Sequence, residues 1–157
     1  MRLVVQRVKR ASVDVAGERI AQVEAGLLLL VGIASGDVDV DLRKIAGKIV
    51  NLRIFEDEDG KMNRSLVDAG GRILAVSQFT LYGDTGKGRR PSFVGAAAPA
   101  VAEPLFDAFV DALRAEGVHV ATGRFGAKMA VELINDGPVT LVIEVAPPPP
   151  VGYTAGL

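Results

Sequence analysis

The sequence predicts a single α+β domain with roughly seven or eight strands and two main helices. Its 157 residues are the length of one domain and are enough to bury a sizeable core. Hydrophobic residues, 49% of the chain, fall mainly into short β-rich runs separated by turns that contain Gly or Pro. Two segments carry the spacing of amphipathic helices. No repeat or linker divides the chain, so we assign residues 1–146 to the domain and 147–157 to a Pro-rich tail that is expected to be mobile.

The first third of the chain predicts a hairpin, a buried strand and a helix. Residues 2–15 and 19–23 interleave apolar and charged side chains around the turn residues Ala16 and Gly17, which is typical of a β-hairpin. The apolar run 27–33 is typical of a strand buried on both faces. A helix is expected next, with acids suited to its N-terminal dipole and one apolar face: Asp37, Asp39 and Asp41, then Leu42, Ile45, Ile49 and Leu52.

The rest of the domain predicts five more strands and the second helix. Strands are expected, in chain order, at residues 52–55, 72–77, 118–121, 129–134 and 139–145. Turns or loops are expected between them at 57–60, 69–71, 83–88 and 135–138. Pro104 is expected to open an amphipathic helix that ends at Gly117.

Composition and charge exclude several classes of protein. Eighteen Lys and Arg against nineteen Asp and Glu give a net charge of −1, so there is no overall basic field for DNA, and we expect no DNA partner. The chain has no Cys, which excludes disulfides and thiol nucleophiles and fits a reducing compartment. No signal-peptide core follows the N-terminus, and the longest apolar stretch, 26–34, is too short to span a bilayer. We expect a cytoplasmic protein with no membrane partner.

Conventional catalytic and metal sites cannot be assembled from these residues. His119 is the only histidine and lies in a predicted strand, where a structural role is the usual one. Without Cys or a second His, neither a Cys–His pair nor a zinc site can form, and we expect no metal and no cofactor. The glycine loop at 83–88 lacks P-loop spacing, and the turn at 57–60 lacks the first ligand of an EF-hand.

Three segments are not explained by secondary structure alone. Polar residues end the strand that leads into residues 77–82, and either a binding rim or a solvent-facing strand end would account for them. Pro138 begins a predicted strand although it has no N–H to donate to the ladder. Residues 135–140 are therefore either an ordinary turn or a turn with a cis peptide bond before Pro138. The cationic segment 87–93 suits a phosphate and a stacked base, or is simply solvated surface.

Two of these segments, Ser77-Gln-Phe-Thr-Leu81 and Asn135-Asp-Gly-Pro-Val-Thr140, resemble the signature motifs of the D-aminoacyl-tRNA deacylase family. The resemblance extends in order and spacing from residue 1 to about 146 through the blocks Gln6–Val8, Arg10–Val13, Gly60–Asn63, Arg90–Phe93, Thr122–Phe125 and Met129. It implies mostly antiparallel strands in a barrel-like sheet, and a homodimer.

The resemblance also implies an activity. Members hydrolyse the ester that joins a D-amino acid to the 3′-terminal adenosine of tRNA, and glycine mischarged on alanine tRNA is a further expected substrate. Gly137 and Pro138 would form a cis peptide that enters the partner subunit's site and rejects L-aminoacyl groups. No cofactor is implied, because the 2′-OH of the tRNA would assist hydrolysis while the protein supplies position.

Specific residues are carried over by the same motifs. The backbone N–H groups of Phe79 and Thr80 are the candidates for holding the ester carbonyl. The Thr80 hydroxyl is not assigned as the nucleophile, since no base lies near it in the sequence. Arg7 would brace the Gly-Pro segment. The remaining candidates are, for substrate, Ser77, Gln78, Phe93, Phe125 and Met129; for motif support, Asn135 and Thr140; and for phosphate contact, Lys87, Arg89 and Arg90.

Two other functions remain open from the residues alone. A non-catalytic dimeric module that binds RNA ends or another protein would account for the missing catalytic side chains, but it leaves both motifs unexplained. An esterase of small molecules would need a nucleophile and base, and no such pair is found in the sequence.

Overall fold

The computed structural model describes residues 1–147, so the predicted tail lies, from residue 148 onward, outside the described residues. Within them the α+β class is confirmed, with eight strands, three α-helices and two 3-10 turns. The strands are β1 Arg2–Val15, β2 Glu18–Val23, β3 Gly26–Gly32, β4 Phe55–Glu56, β5 Met62–Arg64, β6 Arg72–Ser77, β7 Val120–Thr122 and β8 Met129–Glu144. The helices are α1 Leu42–Val50, α2 Leu66–Ala69 and α3 Pro99–Ala115, and the 3-10 turns are Asp37–Asp39 and Phe79–Tyr82.

Strand β1 organises the main sheet because it pairs with three others. Its first half is antiparallel to β3, its second half is antiparallel to β2, and its other edge pairs with β8 from end to end. The sheet continues from β3 through β6 to β7, and these two pairings are parallel. Strand β2 approaches β6 and β7, so the sheet is nearly closed and barrel-like, while β4 and β5 form a separate hairpin.

The core fills both faces of β3. Leu27, Leu29 and Val31 face a large cluster formed with α1 and α3, in which Phe109 is fully buried. Leu28 faces a smaller cluster on the other side of the sheet. Burying a side chain such as Phe109 contributes about 1.5–3 kcal/mol to the stability of the fold. Helices α1 and α3 pack against this face of the sheet and form one wall of the barrel. The prediction of a strand buried on both faces is confirmed.

Two local predictions were wrong near the middle of the chain. Of the predicted strand 52–55 only Phe55 lies in a strand, which continues to Glu56, because the carbonyl of Ile54 accepts a hydrogen bond from Arg7 instead of from a neighbouring strand. Helix α2 was not predicted. It begins at Ser65, whose side chain and that of Asp68 form a capping box, and it ends at Gly70 in the left-handed conformation.

The second main helix begins five residues earlier than predicted. Pro99 occupies its first position, and Pro104 lies inside the helix instead of opening it. Because Pro104 has no N–H, the carbonyl of Ala100 lacks its intrahelical donor. Both residues are exposed, so water can bind that carbonyl. The left-handed Gly117 follows the last turn, as expected.

Residues 129–145 do not form two strands joined by a turn. Both halves pair with β1, and the register runs from Gln6 opposite Thr140 directly to Val8 opposite Asn135. Three extra residues of β8 are therefore accommodated at this point, so the Gly137–Pro138 segment projects from the ladder between them. The predicted turn is a bulge inside one long strand, because each half finds its partner in β1 and not in the other half.

Candidate active site

A cleft of about 500 Å³ lies where the parallel strands β3, β6 and β7 end. Loops at the carboxyl ends of parallel strands converge, which makes this edge of a sheet the usual place for a ligand site. The first residues of α3 and of β8 close the other sides. Most of the lining is apolar and includes Ile33, Val76, Ala97 and Ala102.

The cleft brings together most of the predicted substrate-binding residues. Those that line it are Ser77, Gln78, Phe79, Phe93, Phe125 and Met129. Thr80 is adjacent but does not line it, and its hydroxyl oxygen accepts a short hydrogen bond from the Gln78 amide. Other wall residues were missed by sequence reasoning because small apolar side chains such as Ala96, Ala97 and Ala102 look like any other core residues.

The Phe79–Tyr82 turn leaves two donors free beside the cleft. Gln78 donates its N–H to the Val31 carbonyl at 2.9 Å, and the N–H of Leu81 reaches back to Gln78 at 3.2 Å. Within residues 1–147, the N–H groups of Phe79 and Thr80 have no hydrogen-bond acceptor. They are the first two donors of a helical turn, which have no intrahelical partner by construction. The turn therefore leaves two adjacent backbone donors unpaired beside the cleft.

Aromatic side chains divide between the mouth of the cleft and its wall. Phe79 and Phe93 meet edge to face at 5.1 Å between ring centroids, and they are 54% and 37% exposed. Exposed rings in contact offer an apolar surface to a flat ligand. Phe125 is half-buried and packs against Phe106 of α3 at 6.4 Å, so it belongs to the wall.

The walls of the cleft contain no titratable side chain. His119, the only histidine, is exposed just before β7 and does not line the cleft, so its placement in a strand was wrong by one residue. Tyr82, the last residue of the turn, has its pKa raised by partial burial and by the nearby Asp37 and Glu144 carboxylates. The part of the chain that the structure describes holds no cluster of three acids or histidines suited to a metal. The cleft can position and polarise a ligand but offers no general base.

The Gly137–Pro138 segment lies away from this cleft and is held by polar contacts. The peptide bond between the two residues is cis. Asn135 accepts the Val139 N–H at 3.0 Å and donates to the Thr140 hydroxyl at 2.8 Å, which closes the segment from within. None of Arg7, Asn135, Gly137, Pro138 and Thr140 lines the cleft of its own chain.

Arg7 fixes the segment from the side of β1. Its side chain is almost fully buried, and it donates to the carbonyls of Asp136 at 3.1 Å and Ile54 at 2.6 Å. The Asp136 carboxylate lies 3.4 Å away and Glu56 3.5 Å away, so the buried charge has two acidic neighbours. Through these contacts Arg7 is joined to Asp136, the residue just before Gly137.

Gly137 cannot be replaced without movement. Its φ is +122°, and a Cβ would lie 2.9 Å from Nη2 of Arg7 and 3.0 Å from Cγ2 of Val139. Glycine is therefore required both by the backbone conformation and by the close approach of the guanidinium.

Exposed cations flank the cleft on two sides. Lys87, Arg89 and Arg90 lie in the loop closed by reciprocal backbone hydrogen bonds between Asp84 and Ser92. Arg124 and Lys128, which sequence reasoning did not assign to the site, flank the wall residues of the loop after β7. Within residues 1–147, none of the five forms an ion pair, so all are available to an anionic ligand. No helix in the described chain has the length and hydrophobicity of a membrane span.

Comparison with known proteins matches residues 4–144 to the family model described as D-Tyr-tRNA(Tyr) deacylase. The D-aminoacyl-tRNA deacylases of Brevibacillus brevis and Thermus aquaticus are 60% and 58% identical to the chain, over 92% and 95% of it and 99% and 98% of those proteins. Among solved structures, one described as c-Myc DNA Unwinding Element Binding Protein has a TM-score of 0.86 at 43% identity, covering 93% of this chain and 99% of that one. A probable eukaryotic D-amino acid tRNA deacylase, 22% identical with a TM-score of 0.81 over 92% of this chain and 98% of that one, shares the fold.

Proposed function

Because the chain belongs to the D-Tyr-tRNA(Tyr) deacylase family and is a hydrolase of the D-aminoacyl-tRNA deacylase type, we propose that its cleft holds the ester at the 3′ end of a D-aminoacyl-tRNA. Water adds to the ester carbonyl carbon, the bond to the ribose oxygen breaks, and that oxygen takes a proton. Free tRNA and the D-amino acid leave. The observation that carries the proposal is a cleft with two free N–H donors at its rim and no titratable group in its walls.

The two donors define where the carbonyl lies. The N–H groups of Phe79 and Thr80 would donate hydrogen bonds to the carbonyl oxygen and stabilise the negative charge that develops on it during attack. Donors that are fixed before the reaction need no reorganisation when charge develops. The terminal adenosine would pack against the exposed rings of Phe79 and Phe93, and the polar ends of Ser77 and Gln78 would face the aminoacyl group.

The missing base is supplied by the substrate. An aminoacyl ester is already activated, so orientation and polarisation of the carbonyl suffice if the 2′-OH of the terminal ribose assists the attack. The Thr80 hydroxyl is not the nucleophile in this scheme, because it is bonded to the Gln78 amide and has no base beside it.

Chiral selection is assigned to a second copy of the chain. Gly137 and Pro138 are exposed and lie outside their own cleft, as expected for a segment that completes the cleft of a partner. The outer edge of β8 is unpaired within residues 1–147, and its apolar side chains are only half-buried: Met129, Val131, Leu133, Val139, Leu141 and Ile143. A two-fold dimer through β8 would cover them and place each segment in the opposite site.

Rejection of L-aminoacyl groups then follows from rigid carbonyls that leave no room for an L side chain. Glycine has no side chain to reject, so glycyl-tRNA(Ala) is included among the proposed substrates. The setting is the cytoplasm, where charged tRNA occurs.

The test compares D- and L-tyrosyl-tRNA with the purified protein, together with its mass in solution by light scattering. Loss of the D ester with the L ester spared, from a dimer, is the expected result. Cleavage of both esters would show that the Gly-Pro segment is misassigned. If the protein cleaves neither ester, the proposed reaction is ruled out.

The similarity to a protein described as binding a DNA unwinding element raises a second candidate, a nucleic-acid-binding module without catalysis. The RNA end is favoured because the free cations flank the cleft while the whole chain carries a net charge of −1. Duplex DNA should therefore not compete for deacylation. Tight DNA binding in a protein that cleaves neither ester would favour the module.

A further inference from the structure

The Phe79–Tyr82 turn is held by few contacts of its own. None of its four residues is buried, and no side chain caps its N-terminal end. A single 3-10 turn has poor hydrogen-bond geometry and is seldom stable alone. The direction of the Phe79 and Thr80 N–H groups therefore depends on what anchors the turn from outside.

Arg2, at the start of β1, provides such an anchor. Its Nη1 donates to the Leu81 carbonyl at 2.5 Å, and its guanidinium carbon lies 5.0 Å from the centroid of the Tyr82 ring. The side chain of Gln78, the residue just before the turn, bonds to Thr80. Apart from it, Arg2 is the only residue outside the turn, among residues 1–147, whose side chain forms a hydrogen bond to the turn. The cation also sits at the carbonyl end of the turn, where the peptide dipoles favour a positive charge.

The sheet explains why Arg2 can reach this carbonyl. Arg2 stands opposite Gly32 of β3 on one side and Glu144 of β8 on the other. A Cβ on Gly32 would lie 3.0 Å from Cβ of Leu81 and 3.2 Å from Tyr82, so glycine allows the turn to cross the end of the strand. Glu144 accepts from Nε of Arg2 at 2.5 Å and so sets the plane of the guanidinium.

We propose that Arg2 is a positioning residue for deacylation, which holds the Phe79–Tyr82 turn so that the Phe79 and Thr80 N–H groups face the ester carbonyl, with Glu144 orienting its guanidinium. This inference rests on the proposed role of those two N–H groups. It is specific to the turn, because Arg2 does not line the cleft and touches no predicted substrate group. A misplacement of about 1 Å in such donors can cost up to ~100-fold in rate.

The kinetic test compares Arg2→Ala with Arg10→Ala, a matched control. Arg10 lies on the same strand, faces Glu132 of β8 at 3.7 Å, and carries the same charge without touching the turn. For D-tyrosyl-tRNA, Arg2→Ala should lower kcat about 10-fold with KM within about twofold of wild type. Arg10→Ala should leave both within about twofold, and Arg2→Lys should recover part of kcat because an ammonium still reaches the carbonyl.

Three kinetic outcomes would overturn the inference. They are an Arg2→Ala kcat within twofold of wild type, an equal loss in Arg10→Ala, and a loss confined to KM, which would make Arg2 an RNA contact instead.

A measurement without substrate separates this inference from the proposed function. Hydrogen exchange of the Leu81 and Gly83 amides, which bond within the turn, should quicken in Arg2→Ala and not in Arg10→Ala. Unchanged exchange at both amides would refute positioning by Arg2 even if the enzyme is active. Quickened exchange in a protein that cleaves no D ester would retain the anchoring role and reject the proposed reaction.

Discussion

The Phe79–Tyr82 turn and the Gly137–Pro138 segment are fixed in opposite ways. None of the four residues of the turn is buried, and the turn has one side-chain anchor from a distant strand. The segment is closed internally by Asn135 and backed by the buried Arg7. In the proposed mechanism the turn binds an oxygen, whereas the segment excludes a side chain. A surface can exclude a side chain only if it does not move away, so the Gly137–Pro138 segment requires the more rigid support.

Of the variants that test this difference in support, Arg7→Ala is expected to have the largest effect. Loss of a buried charged donor leaves the Asp136 and Ile54 carbonyls without it and should lower the free energy of unfolding by about 2–3 kcal/mol. Urea denaturation measures this loss, and the ratio of L to D ester cleavage should rise. Arg10→Ala, on the same strand but exposed, should cost less than about 0.5 kcal/mol. Equal stability of the two variants would mean that Arg7 does not support the segment.

A smaller effect is expected from Gly137→Ala, which strains the segment itself. The positive φ and the contact with Arg7 should cost about 1–3 kcal/mol and slow D-tyrosyl-tRNA cleavage. Gly60→Ala is the control, since Gly60 also has a positive φ but a Cβ there meets nothing within 4 Å. Its cost should be about 1 kcal/mol, with an unchanged rate. If both variants keep the wild-type rate, close approach at Gly137 has no functional importance.

Thr80→Ala tests whether the turn contributes the hydroxyl of Thr80 to the reaction. Because the proposed contribution of Thr80 is its N–H and not its hydroxyl, kcat in single-turnover assays should fall by less than about 10-fold. Thr80→Ser, which keeps the hydroxyl, serves as the reference. A loss of several orders of magnitude in Thr80→Ala, restored in Thr80→Ser, would make the hydroxyl catalytic and contradict assistance by the RNA.

The smallest effects are expected at the rim cations. An enzyme that contacts only the acceptor end neutralises few phosphates, so tRNA affinity should depend weakly on salt. Alanine at Arg124 or Lys128 should reduce the slope of log K against log salt by about 0.7 each, as should alanine at Arg89. Filter binding over a salt series measures the slopes. A wild-type slope steeper than about −5 would indicate contact with the body of the tRNA.

Local patterns predicted most of the strands and both main helices. The hairpin around Ala16 and Gly17 and strand β6 were located correctly because alternation and turn residues are local signals. The start of α3 was wrong because solvent exposure of Pro104, a tertiary property, removes the usual cost of proline inside a helix. The sequence predicts a turn where β8 has a bulge, because only pairing with β1 distinguishes the two.

The site shows the same division between local and distant information. The motif residues Ser77–Phe79 and Phe93 line the cleft. The alanines of its wall carry no distinguishing chemistry, and Arg2 gave no signal because its partners lie about 80 and 140 residues away. Contacts of that kind depend on sheet register, which no single segment specifies.

Strand β1 has a consequence for the proposed dimer, because it carries both Arg2 and Arg7. Arg2 would serve the cleft of its own subunit, while Arg7 would serve the cleft of the partner. A mixed dimer of Arg2→Ala and Arg7→Ala subunits would therefore collect both lesions in one cleft and leave the other intact. The intact cleft of each mixed dimer would cleave the D ester at the wild-type rate and spare the L ester, a combination that neither variant shows as a homodimer.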